Sequence, residues 1–189
     1  DGLFTAALPG VFQFDTTSYQ QDGAGPLATD FRRAGSGNAD NSLARDLTDG
    51  TNFRRARLGI EGKAGGDWEY NFLYDFGGSG TEDAGKISSA WLQYNGFGAT
   101  KIRVGAFAPN SGLEESGSTS GSLFAERAAA SEVVRGLNAG DGRSAISVFS
   151  NGERWFAAGA ITGSLAGQAT AFDEQQGATA RFAYVPFKR

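Results

Sequence analysis

Along residues 53–63, FRRARLGIEGK, polar side chains fall at Arg55, Arg57, Glu61 and Lys63, and apolar ones at Ala56, Leu58 and Ile60. A period of two marks a strand with unlike faces, not the 3.6-residue spacing of a basic helix. Phe53 and Arg54 break the alternation where it begins. The next stretch, DWEYNFLYDF, puts Trp68, Tyr70, Phe72, Tyr74 and Phe76 on one face, with Glu69, Asn71, Leu73 and Asp75 on the other. AGGD at 64–67 reads as a tight turn, so the two strands predict a hairpin. Similar alternation recurs in GVFQFDTTSY, ISSAWLQYNG, KIRVGAFA, SAISVFS, RWFAAGAIT and ATARFAYV. The pattern predicts about eight strands near ten residues long, the length of a strand that crosses an outer membrane.

The strand faces carry the next inference. A wholly aromatic face suits lipid, with Trp68, Tyr70 and Tyr94 as anchors at the interfaces. The competing reading of that hairpin is a soluble sandwich core. Short turns (AGGD, NGFGAT, SNGE) alternate with long loops at 20–50, 77–85, 109–140 and 164–175, the asymmetry of a bacterial barrel. The expected fold is therefore all-β: an antiparallel transmembrane β-barrel, one domain over residues 1–189. With the apolar faces toward lipid, Arg55, Arg57, Lys63, Lys101, Arg103 and Arg181 point into the lumen, as do Asp15, Glu61, Glu69 and Asp75. Trp91 faces inward as filler. Arg54 has the wrong parity and is expected to snorkel at the rim or to face a neighbouring subunit. A charged lumen argues for water inside, and so for a channel.

Composition narrows the function. The formal net charge is −4 and the pI about 4.9, so any attraction for anions is local, and nucleic-acid binding is not expected. The sequence has neither Cys nor His. Disulfides and thiolate metal sites are excluded, and the commonest general base is missing. No catalytic residue and no cofactor are expected. The Asp- and Asn-rich stretch within 20–50 lacks the glutamate and flanking helices of a calcium loop, so no metal site is read there. Arg32 and Arg33 in that stretch are candidates for an outer funnel that draws anions to the mouth. No run of 18 apolar residues exists, which excludes a helical membrane protein but not a barrel. The sequence contains no Met, so residue 1 is not an initiator and the chain is read as processed or as a piece of a longer one.

Three stretches taken together, DGTNFRRARLGIEGKAGGDWEYNFLYDF, AWLQYNGFGATKIRVGAFAPNSGLEE and LFAERAAASEVVRG, resemble the phosphate-selective porins O and P. The resemblance covers most of residues 10–189. It implies a trimeric porin of the bacterial outer membrane with sixteen strands per subunit; the eight strands expected here are read as its amino-terminal part, the alternative being a complete eight-stranded barrel filled by side chains. It also implies passive diffusion of small anions, phosphate or polyphosphate among them, with outer-membrane lipid around the barrel. The segment 109–140 becomes an inward constriction loop with a short helix, SLFAERAAASEVV, capped by Ser122 and stopped by Gly136. Arg127 on that helix, with Arg55, Arg57, Lys101 and Arg103 on the wall, form the implied anion-binding set. Glu114 and Glu115 are read as anchors of the loop to wall arginines. Ala108 stands where the family pattern has a lysine, PNSG replaces EPFG, and the loop carries Glu114, Glu115, Glu126 and Glu132. Anion passage follows from the resemblance; strict phosphate specificity does not. The alternative function is a structural or adhesive outer-membrane barrel without transport.

Overall fold

The computed structural model describes residues 3–20, 50–78, 85–113, 128–140, 142–167 and 176–187. They form one antiparallel sheet of nine strands: β1 (Phe4–Ala7), β2 (Gly10–Thr17), β3 (Gly50–Ala64), β4 (Trp68–Asp75), β5 (Lys86–Phe97), β6 (Thr100–Ala106), β7 (Arg143–Asn151), β8 (Trp155–Leu165) and β9 (Gly177–Tyr184). Each strand from β3 onward pairs with its neighbour in sequence, and β1 and β2 both pair with β3. The helix α1 (Ala129–Val134) runs into a π-helical turn, Arg135–Ala139.

Nine strands replace the expected eight because β1, which precedes the first expected strand and is parted from it at Leu8–Pro9, also pairs with β3. Proline has no N–H to give the ladder; its carbonyl still accepts from Gly59 N at 3.1 Å, so the edge stays attached to β3. The β3–β4 turn works because Gly65 and Gly66 both have positive φ, 61° and 82°, a region side-chain-bearing residues avoid. Gly66 follows Gly65, so the chain reverses without a strained Cβ.

The sheet is inside out. Among the described residues the fully buried side chains include Asp75, Gln93, Ser147 and Thr162, each at 2% exposure or less. The large apolar residues lie open, Ile146 at 60%, Ile161 at 65% and Phe182 at 72%. Register shows that these are opposite faces of the same strands. One row reads Gly62, Tyr70, Leu92, Val104, Ile146 and Ile161; the row beside it reads Lys63, Glu69, Gln93, Arg103, Ser147 and Ala160. A soluble sandwich would bury the first row. Its exposure answers the competing reading of the hairpin.

Aromatic pairs sit at both ends of the apolar face. Trp68 meets Tyr94 at 4.9 Å between ring centroids and Tyr94 meets Phe97 at 5.1 Å, beside the short turns. Phe14 meets Phe53 at 5.2 Å and Tyr74 meets Phe76 at 4.8 Å, at the long-loop end. Ala64, the register partner of Trp68, lies eleven residues along β3 from Phe53. At roughly 3.3 Å per residue and a tilt of roughly 40°, that distance is about 28 Å of height, close to the apolar band of an outer-membrane barrel. No helix among the described residues is long and apolar enough to cross a membrane.

Candidate functional site

The broken alternation at Phe53–Arg54 is a β-bulge. Gln13 pairs with Arg55 and Phe14 with Phe53, leaving Arg54 as the extra residue. The bulge turns Arg54 to the polar face, where it lies 3.7 Å from Asp15. Arg54 therefore faces the polar side rather than a neighbour, beside Phe53 at the long-loop end: one inserted residue reverses parity on either side of itself. Phe53 consequently faces outward with Phe14.

The arginines of β3 are held differently. Arg55 donates to Oε1 of Gln13, which lies opposite it in register. Arg57 donates Nε to Oδ2 of Asp75 at 2.7 Å. The carboxylate of Asp75 also accepts from the backbone N–H groups of Ala56 at 3.1 Å and Gly77 at 3.0 Å. Three bonds satisfy a carboxylate that is 1% exposed, which is what a buried charge requires. Arg57 thus fixes the β3–β4 wall with its charge balanced locally.

Arg103 on β6 has another setting. Its Nε and Nη2 both donate to Oε1 of Gln93, at 2.9 and 2.6 Å. Its guanidinium lies 4.1 Å from the ring centre of Trp91, and 5.5 and 5.3 Å from those of Phe107 and Phe149. Trp91 is a platform for the cation rather than filler. Gln93 passes its amide to Glu69 Oε2 at 2.9 Å and Asn95 Oδ1 at 2.7 Å. The partner that touches Arg103 is neutral, so the geometry is satisfied without cancelling the charge at contact. Lys101, two residues nearer the short turn, is partly buried and opposite Phe149.

The expected residues share a face but not one pocket. Arg103 is in register with Lys63, through Gln93 and Glu69, whereas Arg57 is in register with Asp75 and Lys86. Six residues of β3 separate the two rows, roughly 20 Å along the strand. Arg127, Ser122, Glu114, Glu115, Arg32 and Arg33 lie outside the described residues. Gly136 does not stop the helix as its position suggested; it lies within the π-helical turn, and the C-cap is Gly140, in extended conformation.

The contacts of two arginines were missed by the sequence pattern. Arg181 on β9 donates Nη1 to the carbonyl of Gly112 at 3.1 Å. Arg143 at the start of β7 donates Nη1 to Gly163 O at 2.9 Å and Nη2 to Gly136 O at 3.1 Å. Arg181 alternates with the exposed Phe182 and so belongs to the polar face; residues 107–113 after β6 therefore run along that face, with Phe107 and Pro109 buried. The signal was present as size. The polar faces of β7 and β8 carry Ala145, Ser147, Ala158, Ala160 and Thr162, too small to fill the space in front of them.

Counted along the polar face of the described strands, the basic residues are Arg54, Arg55, Arg57, Lys63, Lys86, Lys101, Arg103, Arg143 and Arg181. The acidic ones are Asp15, Glu61, Glu69 and Asp75. An acidic chain thus presents a basic face.

Apolar outside, polar and basic inside, and girdled by aromatic rings, the sheet is of the transmembrane β-barrel class. The chain belongs to the phosphate-selective porin O and P family, whose family model matches residues 25–186. It is 33% identical over 94 residues to Porin O of Pseudomonas aeruginosa, a stretch that takes in 49% of this chain and 22% of that protein. The matched part of the chain spans about a fifth of the relative's length.

Proposed function

We propose that the protein is an outer-membrane porin of a Gram-negative bacterium, through which small anions, phosphate or polyphosphate among them, diffuse passively. The observation that carries this reading is the surplus of basic residues on the polar face of a chain with net charge −4. A positive lining raises the local concentration of anions and lowers their barrier relative to cations. Arg103 is assigned the largest part on the wall, because the group that touches it is a neutral amide. Arg55 and Lys101 add to the same field, and Arg57 serves chiefly as an ion-paired strut. The segment 109–140 is the constriction loop, with Arg127 on it as a further anion contact. The full protein closes a larger barrel of about sixteen strands and assembles as a homotrimer in outer-membrane lipid. It works by diffusion and carries out no catalysis.

The burial of Phe107 and Pro109 beside the polar face favours a second reading, a plugged structural barrel. One experiment separates the two. The full-length protein is placed in a planar bilayer across a KCl gradient, and inorganic phosphate is then added. A chloride-favouring reversal potential, with current reduced by phosphate, supports the anion pathway. A cation-favouring potential overturns it, and an absence of conductance supports the plugged barrel.

A further inference from the structure

We infer that Arg143 and Arg181 are positioning residues that pin the two arms of the segment 107–140 to the wall, each through a main-chain carbonyl. This rests on the reading of that segment as the constriction loop.

The two arms are the described stretches 107–113 and 128–140. The first leaves β6 and is tied at once by Phe107 N to Arg143 O, 2.9 Å. It then reaches across to β9, where Gly112 O accepts from Arg181 at 3.1 Å. These partners are 69 residues apart in sequence, so no local geometry brings them together. Arg181 is itself steadied by Phe156, 5.4 Å from its guanidinium to the ring centre. The second arm ends in the π-helical turn, which lies against β8 and β9. Carbonyls in a last helical turn run out of internal donors. Arg143 supplies one to Gly136 O while its other terminal nitrogen grips Gly163 O on β8.

Arginine is required for the second task. Its planar fork presents divergent N–H groups to two acceptors on separate pieces of chain, where a lysine ammonium is a point on a flexible stem. Carbonyl acceptors leave the positive charge in place. A carboxylate latch would fix the arm equally well but would cancel the field that draws anions. Arg143 therefore holds its arm through carbonyls alone, without giving its charge to a carboxylate.

The test reads chain motion rather than current, so it is independent of whether the barrel conducts. The sequence has no cysteine, and Leu113 and Leu137 are exposed, at 80% and 58%. Leu113→Cys and Leu137→Cys, made separately in the full-length protein, each carry a nitroxide spin label in lipid vesicles. The expected result is crossed: Arg181→Gln abolishes the immobilised component of the label at 113 and spares 137. Arg143→Gln abolishes it at 137, and Arg143→Lys does the same despite its retained charge. If neither label changes, or if every variant loosens both labels equally, as general destabilisation would, the assignment is wrong. Heat-modifiable migration of each variant checks that the barrel has folded.

Discussion

At the scale of single residues, two arginines of one wall behave differently because of what accepts their hydrogen bonds. Arg57 faces a carboxylate that two backbone amides also hold. Removing one member of such a buried pair leaves the other without its balancing charge. Asp75→Ala is therefore expected to lower stability by about 3 kcal/mol, read as a shift in the urea midpoint of protein refolded into vesicles. Arg103 faces a glutamine. Gln93→Glu replaces an amide by a carboxylate of nearly the same shape at the same contact. It is expected to keep the contact to Arg103 but to place a carboxylate where the amide donated to Glu69, so stability falls somewhat while the reversal potential moves toward cations. If the same substitution unfolds the barrel, the polar row Glu69–Gln93–Arg103 is structural first and electrostatic second.

At the scale of elements, glycines report where backbones crowd. Gly105 on β6 has φ 131°, and a Cβ there falls 2.2 Å from Ala90 O and 2.7 Å from Trp91 Cα on β5. Gly98 in the β5–β6 turn has φ 68° and open space around it. Alanine at Gly98 costs only the left-handed conformation, about 1 kcal/mol. Alanine at Gly105 also forces two strands apart, so its urea midpoint is expected to fall further. Equal shifts contradict the close approach. Most of these strands were legible in the sequence because one face meets an apolar surround and the other a polar one, which imposes a strict period of two. The hairpin over 53–76 was read with its turn and both faces. The bulge was visible only as a disturbance at Phe53–Arg54, since alternation alone does not tell an inserted residue from a misplaced one. The loop contacts of Arg143 and Arg181 showed in the sequence only as small residues on the wall behind them, because a carbonyl acceptor has no residue type to betray it. Gly136 misled for a related reason: glycine often ends an α-helix, but a widened π turn accommodates it inside.

At the scale of the whole molecule, the sheet is organised by two solvents. The apolar rows fit hydrocarbon and the polar rows fit water, and the aromatic pairs mark the boundaries about 28 Å apart. A charge on the outer face near the middle of a strand must then be costly. Ile161→Arg is expected to destabilise the barrel by about 2–4 kcal/mol, measured by chemical unfolding in vesicles, and a neutral result would mean that this face does not meet lipid. The central claim is that the basic inner face, led by Arg103, sets the selectivity of a water-filled path. The most direct measurement compares the full-length protein and its Gln93→Glu variant in planar bilayers across one KCl gradient. The account predicts a chloride-favouring reversal potential for the native protein and a clear shift toward potassium in the variant, at similar conductance. Identical reversal potentials, or a native pore that favours potassium, would contradict it.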